Sequence, residues 1–413
     1  MTIPPWLLLL LAVALAATTF WLGRLLPRSA EHAEVAASTK EDEAKIQETH
    51  DTPWGKLIYT RLNLSPPLDV IEEMATEAGP RRWFFQSASR EELFQFFRKS
   101  GLSNGQCTIL ESAAKVEGKD YAFSPDDNFV RGLTPEARKN LYIRLAQDER
   151  NKEQINAFHY LGASIETWLA PAMLPPETVT QIKALCYRHE PYWLFADFSL
   201  VSKSLPSPQV RGRLLKLLAT RPTWFVKMHI DQNSDINVLA NYWGRGGRKH
   251  LVFPLLETLA QVPGGESASV SLFLPPFART RLFTFPLPGL NPTEQNRDCH
   301  WTALNYFNEI PNDKFALGTA DALEEIMTQY YPVKANFQLG DLVVFATKAD
   351  DAKPVGKVFH SAVYIADNLV FTKNGRRAVD PWIYMRLDEM KAYYPQSDKV
   401  VVMYFRRKNI PGE

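Results

Sequence analysis

The sequence predicts an α+β protein arranged in series: an N-terminal membrane segment, a large all-helical region, and a C-terminal unit in which one helix precedes a run of short antiparallel strands. Three observations predict this. Ile3 to Gly23 carries no charge and is long enough to span a bilayer as a helix. From about Trp54 to Val262 the start and stop signals are those of helices. At Pro263-Gly264-Gly265 the texture changes to β-branched and aromatic runs.

In chain order, residues 1–28 read as a transmembrane anchor or a signal peptide. Ala14-Leu15-Ala16 offers a cleavage site, but the apolar run continues through Phe20-Trp21-Leu22. Residues 29–51 read as an acidic linker. Residues 52–265 read as an all-helical domain, with starts at Ser89-x-x-Glu92, at Thr134-Pro135, and at Pro176 and Pro208. No fixed-period repeat supports a solenoid. In residues 266–413 strands are expected at Val270–Leu274, Arg281–Phe285, Asp341–Phe345, Ser361–Ile365, Leu369–Thr372 and Val400–Phe405, with helices at Cys299–Asn308 and Ala320–Tyr330.

Composition narrows the function. The 413 residues are 45% hydrophobic and 23% charged, so the chain is not a disordered one. Lys plus Arg is 47 and Asp plus Glu is 46, a balance that makes nucleic acid an unexpected partner. Cys107, Cys186 and Cys299 are too few and too far apart for a disulfide framework or a cysteine zinc site. The eight histidines supply no ligand spacing, so neither cofactor nor metal is expected. Cys107 and Cys186 read as small buried hydrophobes.

Cys299 differs, because Asp298-Cys299-His300-Trp301 opens a helix and places the thiol where unpaired N–H groups and the helix dipole favour a sulfur anion. A thiolate nucleophile needs a base that can hold the proton and later give it to the leaving amine. His360, at the head of a strand, can serve as that base. A third polar group should orient the imidazole, and Thr372 and Asn374 share one face of the next strand, with Asn374 slightly favoured.

These pieces resemble the NlpC-type papain-like cysteine peptidases, bacterial cell-wall endopeptidases, over roughly the last third of the chain. Asp298-Cys299 resembles that family's nucleophile motif, Leu339-Gly340-Asp341-Leu342-Val343-Val344-Phe345 its Gly-Asp-Leu strand, and His360-Ser361-Ala362-Val363-Tyr364-Ile365 its histidine strand. The resemblance implies a papain-like α+β unit, thioester hydrolysis of a peptide or amide bond in peptidoglycan stem peptides, and an oxyanion near the Cys299 N–H. It implies pocket or supporting roles for Asp298, His300, Trp301 and Asp341, the last as a turn cap or local pair. His300-Trp301 departs from the family's Ser-Gly, and Thr372 stands where a second histidine is common.

A cell-wall substrate implies an exported or membrane-anchored protein with its bulk outside the cytoplasm, although Arg24 and Arg28 after the apolar segment argue the other way. The helical region would position the catalytic unit or bind a protein partner. The competing readings are a non-catalytic binding or scaffold protein at the membrane and an amide acyltransferase using the same dyad. Gly244–Lys249 lacks the order of a phosphate loop and reads as a solvated interhelical loop, and Arg406-Arg407-Lys408 as a solvated tail.

Overall fold

Two ten-residue segments, Gly55–Leu64 and Arg221–Ile230, make strands that pair from Lys56 opposite His229 to Leu64 opposite Arg221 although they lie far apart in sequence. This pairing overturns the all-helical region. The computed structural model describes residues 47–74, 81–86, 89–287, 296–348, 358–394 and 400–413. The predicted anchor, Ile3–Gly23, lies outside them, and among the described residues no helix is long and apolar enough to cross a membrane. Most of the expected linker also lies outside. Its last residues instead form a strand.

That strand, β1 (Gln47–Thr52), turns into β2 (Gly55–Leu64) at Gly55, where φ is +106° and a Cβ would lie 2.6 Å from the Met228 sulfur. Strands β3 (Trp83–Gln86), β4 (Lys115–Glu117) and β5 (Asp120–Phe123) form a small sheet in the order β3-β5-β4. A second small sheet contains β6 (Phe158–Tyr160), β7 (Tyr187–His189) and β8 (Tyr192–Phe195) in the order β6-β8-β7. With β9 (Arg221–Ile230) and β10 (Glu266–Ser269), the first two strands complete a sheet ordered β1-β2-β9-β10. The expected helices are present between these strands at Arg90–Lys99, Pro135–Leu145, Pro176–Leu185 and Pro208–Ala219. Ser89, Thr134 and Ser207 cap three of them by accepting backbone N–H bonds, each worth about 1 kcal/mol.

Downstream, two expected strands are absent. Val270–Phe273 is a 3-10 turn that buries Val270 and Phe273, and Pro276–Arg281 is a helix begun by proline. The Cys299 helix is also shorter than expected and ends at Leu304. Asn305 stops it: its amide accepts from Asn312 N–H at 2.6 Å and donates to the Trp301 and Asn312 carbonyls. The second helix, Thr319–Gln329, stands close to its expected place.

The remaining strands are β11 (Tyr330–Val333), β12 (Leu342–Thr347), β13 (Val358–Ala366), β14 (Leu369–Lys373), β15 (Trp382–Arg386) and β16 (Val400–Arg407). They form an antiparallel sheet ordered β11-β16-β12-β13-β14-β15. The expected basic tail is part of it, because Arg406 on β16 reaches both oxygens of the buried Asp341 at 2.8 Å. Gly244–Arg248 is not a solvated loop either: the Arg248 guanidinium is buried against the Trp243 and Phe273 carbonyls.

Both faces of this sheet are covered. Phe345, Ala362, Tyr364, Val370 and Met385 pack with the N-terminal helices and small sheets. Val344, Val363, Phe371, Trp382 and Tyr384 face the other way and pack with Trp301 and Leu304 of the Cys299 helix and with β2 and β9.

Candidate active site

Cys299 is the first residue of its helix. The Asp298 side chain caps that helix, its Oδ1 accepting the His300 and Trp301 N–H groups at 2.9 and 3.2 Å. Two donors expected to stabilise a sulfur anion are therefore taken by Asp298. Among the described residues the Cys299 N–H has no partner. Asp298 also faces Arg376, whose Nε is 3.4 Å from Oδ2.

The three cysteines separate by environment. Cys107 and Cys186 belong to the apolar core, and burial pushes both thiols up. Cys299 is equally buried, at 6% exposure, yet belongs to neither apolar cluster. Its charge adds to the burial that raises the Tyr394 phenol and opposes the burial that lowers the Lys373 ammonium.

His360 is 1% exposed and sits beside a bulge. Phe345 pairs with His360 but Ala346 pairs with Val358, so Phe359 is the extra residue on β13. Phe359 and His360 consequently point to the same side, and both rings contact Tyr394, with centroids 5.2 and 4.9 Å away. Strand alternation places His360 with Ala362 and Tyr364, on the face opposite the Cys299 helix. Ser361 faces the helix instead, and its Oγ is 2.8 Å from His300 Nδ1. Among the described residues no hydrogen bond joins Cys299 to His360.

The His360 ring is held at both nitrogens, by Thr372 Oγ1 on Nε2 at 3.0 Å and by Tyr394 Oη on Nδ1 at 2.6 Å. Thr372 in turn donates to Asn374 Oδ1 at 3.1 Å, and the Asn374 amide donates to the Met385 sulfur. Because the Thr372 proton is committed to Asn374, Thr372 accepts from His360 Nε2–H. Nδ1 is then the acceptor, and the Tyr394 hydroxyl donates to it. Protons thus point in one direction along Tyr394, His360, Thr372 and Asn374. Burial, reinforced by the Cys299 charge, holds the Tyr394 phenol well above its ordinary range, so it stays neutral and available as a donor.

The other expected residues have plainer positions. Thr372 touches the imidazole, whereas Asn374 stands one residue behind it. His300 is buried on Ser361, and burial lowers its basicity, with Asp298 opposing. Trp301 is fully buried against Phe277 and donates to Asp313 Oδ1 at 2.9 Å. Asp341 caps a turn at the Gln338 N–H and pairs with Arg406, so it organises the fold. Two surface cavities, around Asp120 and Asp148 and around Lys139 and His189, include neither Cys299 nor His360.

Tyr394 and Lys373 escaped the sequence reading. A tyrosine at the end of an amphipathic helix looks like core, and the lysine became notable only once it was found buried. No protein-family model matches the chain, and neither a curated protein nor a solved structure is similar to it.

Proposed function

We propose that the protein is a cysteine hydrolase that cleaves a peptide or amide bond through a thioester on Cys299. The observation that carries this reading is the directed hydrogen-bonded chain from the Tyr394 hydroxyl through His360 and Thr372 to Asn374, in a protein where Cys299 is the one cysteine outside the apolar core. His360 acts here through Tyr394 rather than on the sulfur directly. Cys299 makes no hydrogen bond to Tyr394 among the described residues, so in this reading the thiol turns to the Tyr394 oxygen and gives it its proton while the Tyr394 proton passes to His360 Nδ1. The products are a thiolate and an imidazolium whose Nε2–H remains on Thr372.

The thiolate then attacks the carbonyl carbon, and the Cys299 N–H faces the developing oxyanion. The proton returns along the same path to the leaving amine. Water, deprotonated by the same route, releases the acid and restores the thiol. The three stretches resembling NlpC-type peptidases make peptidoglycan stem peptides the substrate to test first.

A thiol-directed probe applied to the folded chain should label one site and lose that labelling in Cys299→Ala. Unchanged labelling in the variant removes the assignment. Muropeptides incubated with the wild-type chain should yield new free amines that the variant does not produce.

A second reading rests on a specific observation: both ring nitrogens of His360 are already engaged, and Cys299 makes no bond to it among the described residues. A non-catalytic binding protein would keep that arrangement. It would retain muropeptides without releasing amine, and its binding would survive Cys299→Ala.

A further inference from the structure

The hollow around Lys139 and His189 takes no part in the chemistry above. It is a groove of about 590 Å³ between the helices Arg90–Lys99 and Pro135–Leu145, a size that suits a small ligand. Glu92, Phe96 and Lys99 line it from the first helix, four and three residues apart, and Lys139, Ile143 and Arg144 line it from the second, so one face of each helix forms a wall. The two helices run antiparallel. Asn140 Nδ2 donates to the Ser100 carbonyl at 3.3 Å where the first helix ends, whereas Glu92 near its start shares an adjoining hollow with Arg144 and Gln147. The groove is therefore basic at one end, with Lys99 and Lys139, and carries Glu92 at the other. Phe96 and Ile143, both half-buried, lie between.

Of the basic side chains in the groove, two are spent on the protein itself. The Arg144 guanidinium donates to the Gln86 carbonyl and the Gln147 side chain, and the buried His189 donates from Nε2 to the Tyr394 carbonyl at 3.3 Å. Lys99 and Lys139 make no hydrogen bond or ion pair among the described residues. The Lys139 charge reaches Glu190, but Arg188 already holds that carboxylate at 2.9 and 3.0 Å. Two ammonium groups at one end of a groove repel each other, and an anion between them relieves the repulsion. Glu92 and Lys99 are seven residues apart on one helix. That is about 10 Å along the axis, a span that an extended peptide covers in about three residues.

We propose that this groove binds a short free peptide of about three residues with apolar side chains, its carboxylate between Lys99 and Lys139 and its amino end toward Glu92. The charges at the two ends set its direction, and Phe96 and Ile143 pack its side chains. The site stands apart from Cys299 and does not rest on that residue being a nucleophile.

The test is calorimetric titration, at low salt, of the full chain carrying Cys299→Ala, which keeps the probe from being consumed. The probes are alanyl-leucyl-alanine, its C-terminal amide and its N-acetyl form. The free peptide should bind saturably and the amide about tenfold more weakly, the scale of a lost charge-assisted bond. In the double variant Lys99→Gln, Lys139→Gln the free peptide and the amide should bind alike. Acetylation should weaken binding about threefold, and Glu92→Gln should remove that difference.

Equal binding of peptide and amide to the unsubstituted groove overturns the inference, as does the absence of saturation up to about 10 mM peptide. A preference for the free carboxylate that survives the double lysine substitution overturns it too. If the double variant does not fold, the comparison of peptide with amide on the unsubstituted groove decides alone. An acetylated peptide that binds as well as the free one overturns the assigned direction. Failure of the Cys299 reading leaves each of these outcomes as it is, because the titration is read without the thiol.

Discussion

Two buried histidines lie against consecutive tyrosines, His159 on β6 against Tyr393 and His360 on β13 against Tyr394. The His159 ring stacks on Tyr393 with centroids 4.0 Å apart, and its nitrogens lie 2.8 Å from the Ala157 carbonyl and 3.1 Å from the Tyr393 carbonyl. His360 has hydroxyls in both places. A carbonyl only accepts, so no proton can move beyond His159. A hydroxyl donates and accepts at once, so the His360 chain can relay a proton. Burial, which both residues share, therefore does not set what each histidine can do with a proton; the chemistry of the partners does.

The comparison can be broken most directly by substitution. His360→Ala should lower amide cleavage per folded molecule about a thousandfold, the scale of a lost general base. His159→Phe should leave it unchanged, with folded fractions taken from circular dichroism. Equal losses would show that His360 is no more than a packing residue.

The next largest effect concerns stability. Burial first, then the Arg221 charge, lowers His159 from the ordinary 6.5 to about 3. Between those values the unfolded chain takes up a proton that the folded chain refuses, so stability is complete above about 6.5 and falls as the pH drops through the window. From pH 7 to pH 4 this one group should cost about 3 kcal/mol, read from urea unfolding. His159→Phe should flatten that slope. A slope unaltered by the substitution would show that His159 already carries its proton in the folded state.

Smaller effects sharpen the other side of the comparison. Tyr394→Phe keeps the ring against Phe359 and His360 but removes the hydroxyl, and should slow cleavage about thirtyfold, near 2 kcal/mol. An unchanged rate would mean that His360 reaches the sulfur without it. Thr372→Val, which strands the His360 Nε2–H, should cost about tenfold, and Asn374→Ala about threefold. The reverse order would make Asn374 the orienting residue.

How much of this was legible depends on the range of each interaction. Ser89 and Thr134 were readable as caps because a cap and the amides it bonds lie within three residues, whereas the Asp298 cap, which takes the amides expected to face the sulfur, was not read. The strands around His360 were readable from their β-branched and aromatic runs, and Thr372 from its face. The pairing of β2 with β9 was not, since alternation within one segment does not say which distant segment completes it, and the helix signals between them dominated. The tie of Arg406 to Asp341 and the fit of Tyr394 on the bulge at Phe359 were likewise beyond local pattern.

The sequence by itself determined the chemical inventory of the candidate site, a cysteine behind an aspartate, a strand histidine and a threonine on the next strand, because spacing along a helix or strand sets which residues share a face. The tertiary structure alone decided how that inventory is connected. The Cys299 helix packs on one face of the sheet through Trp301 and Leu304, His360 lies with Ala362 and Tyr364 on the other, and a tyrosine brought in by packing bonds the histidine. Faces are set locally by the two-residue period of a strand, but what packs on each face depends on contacts between residues distant in sequence.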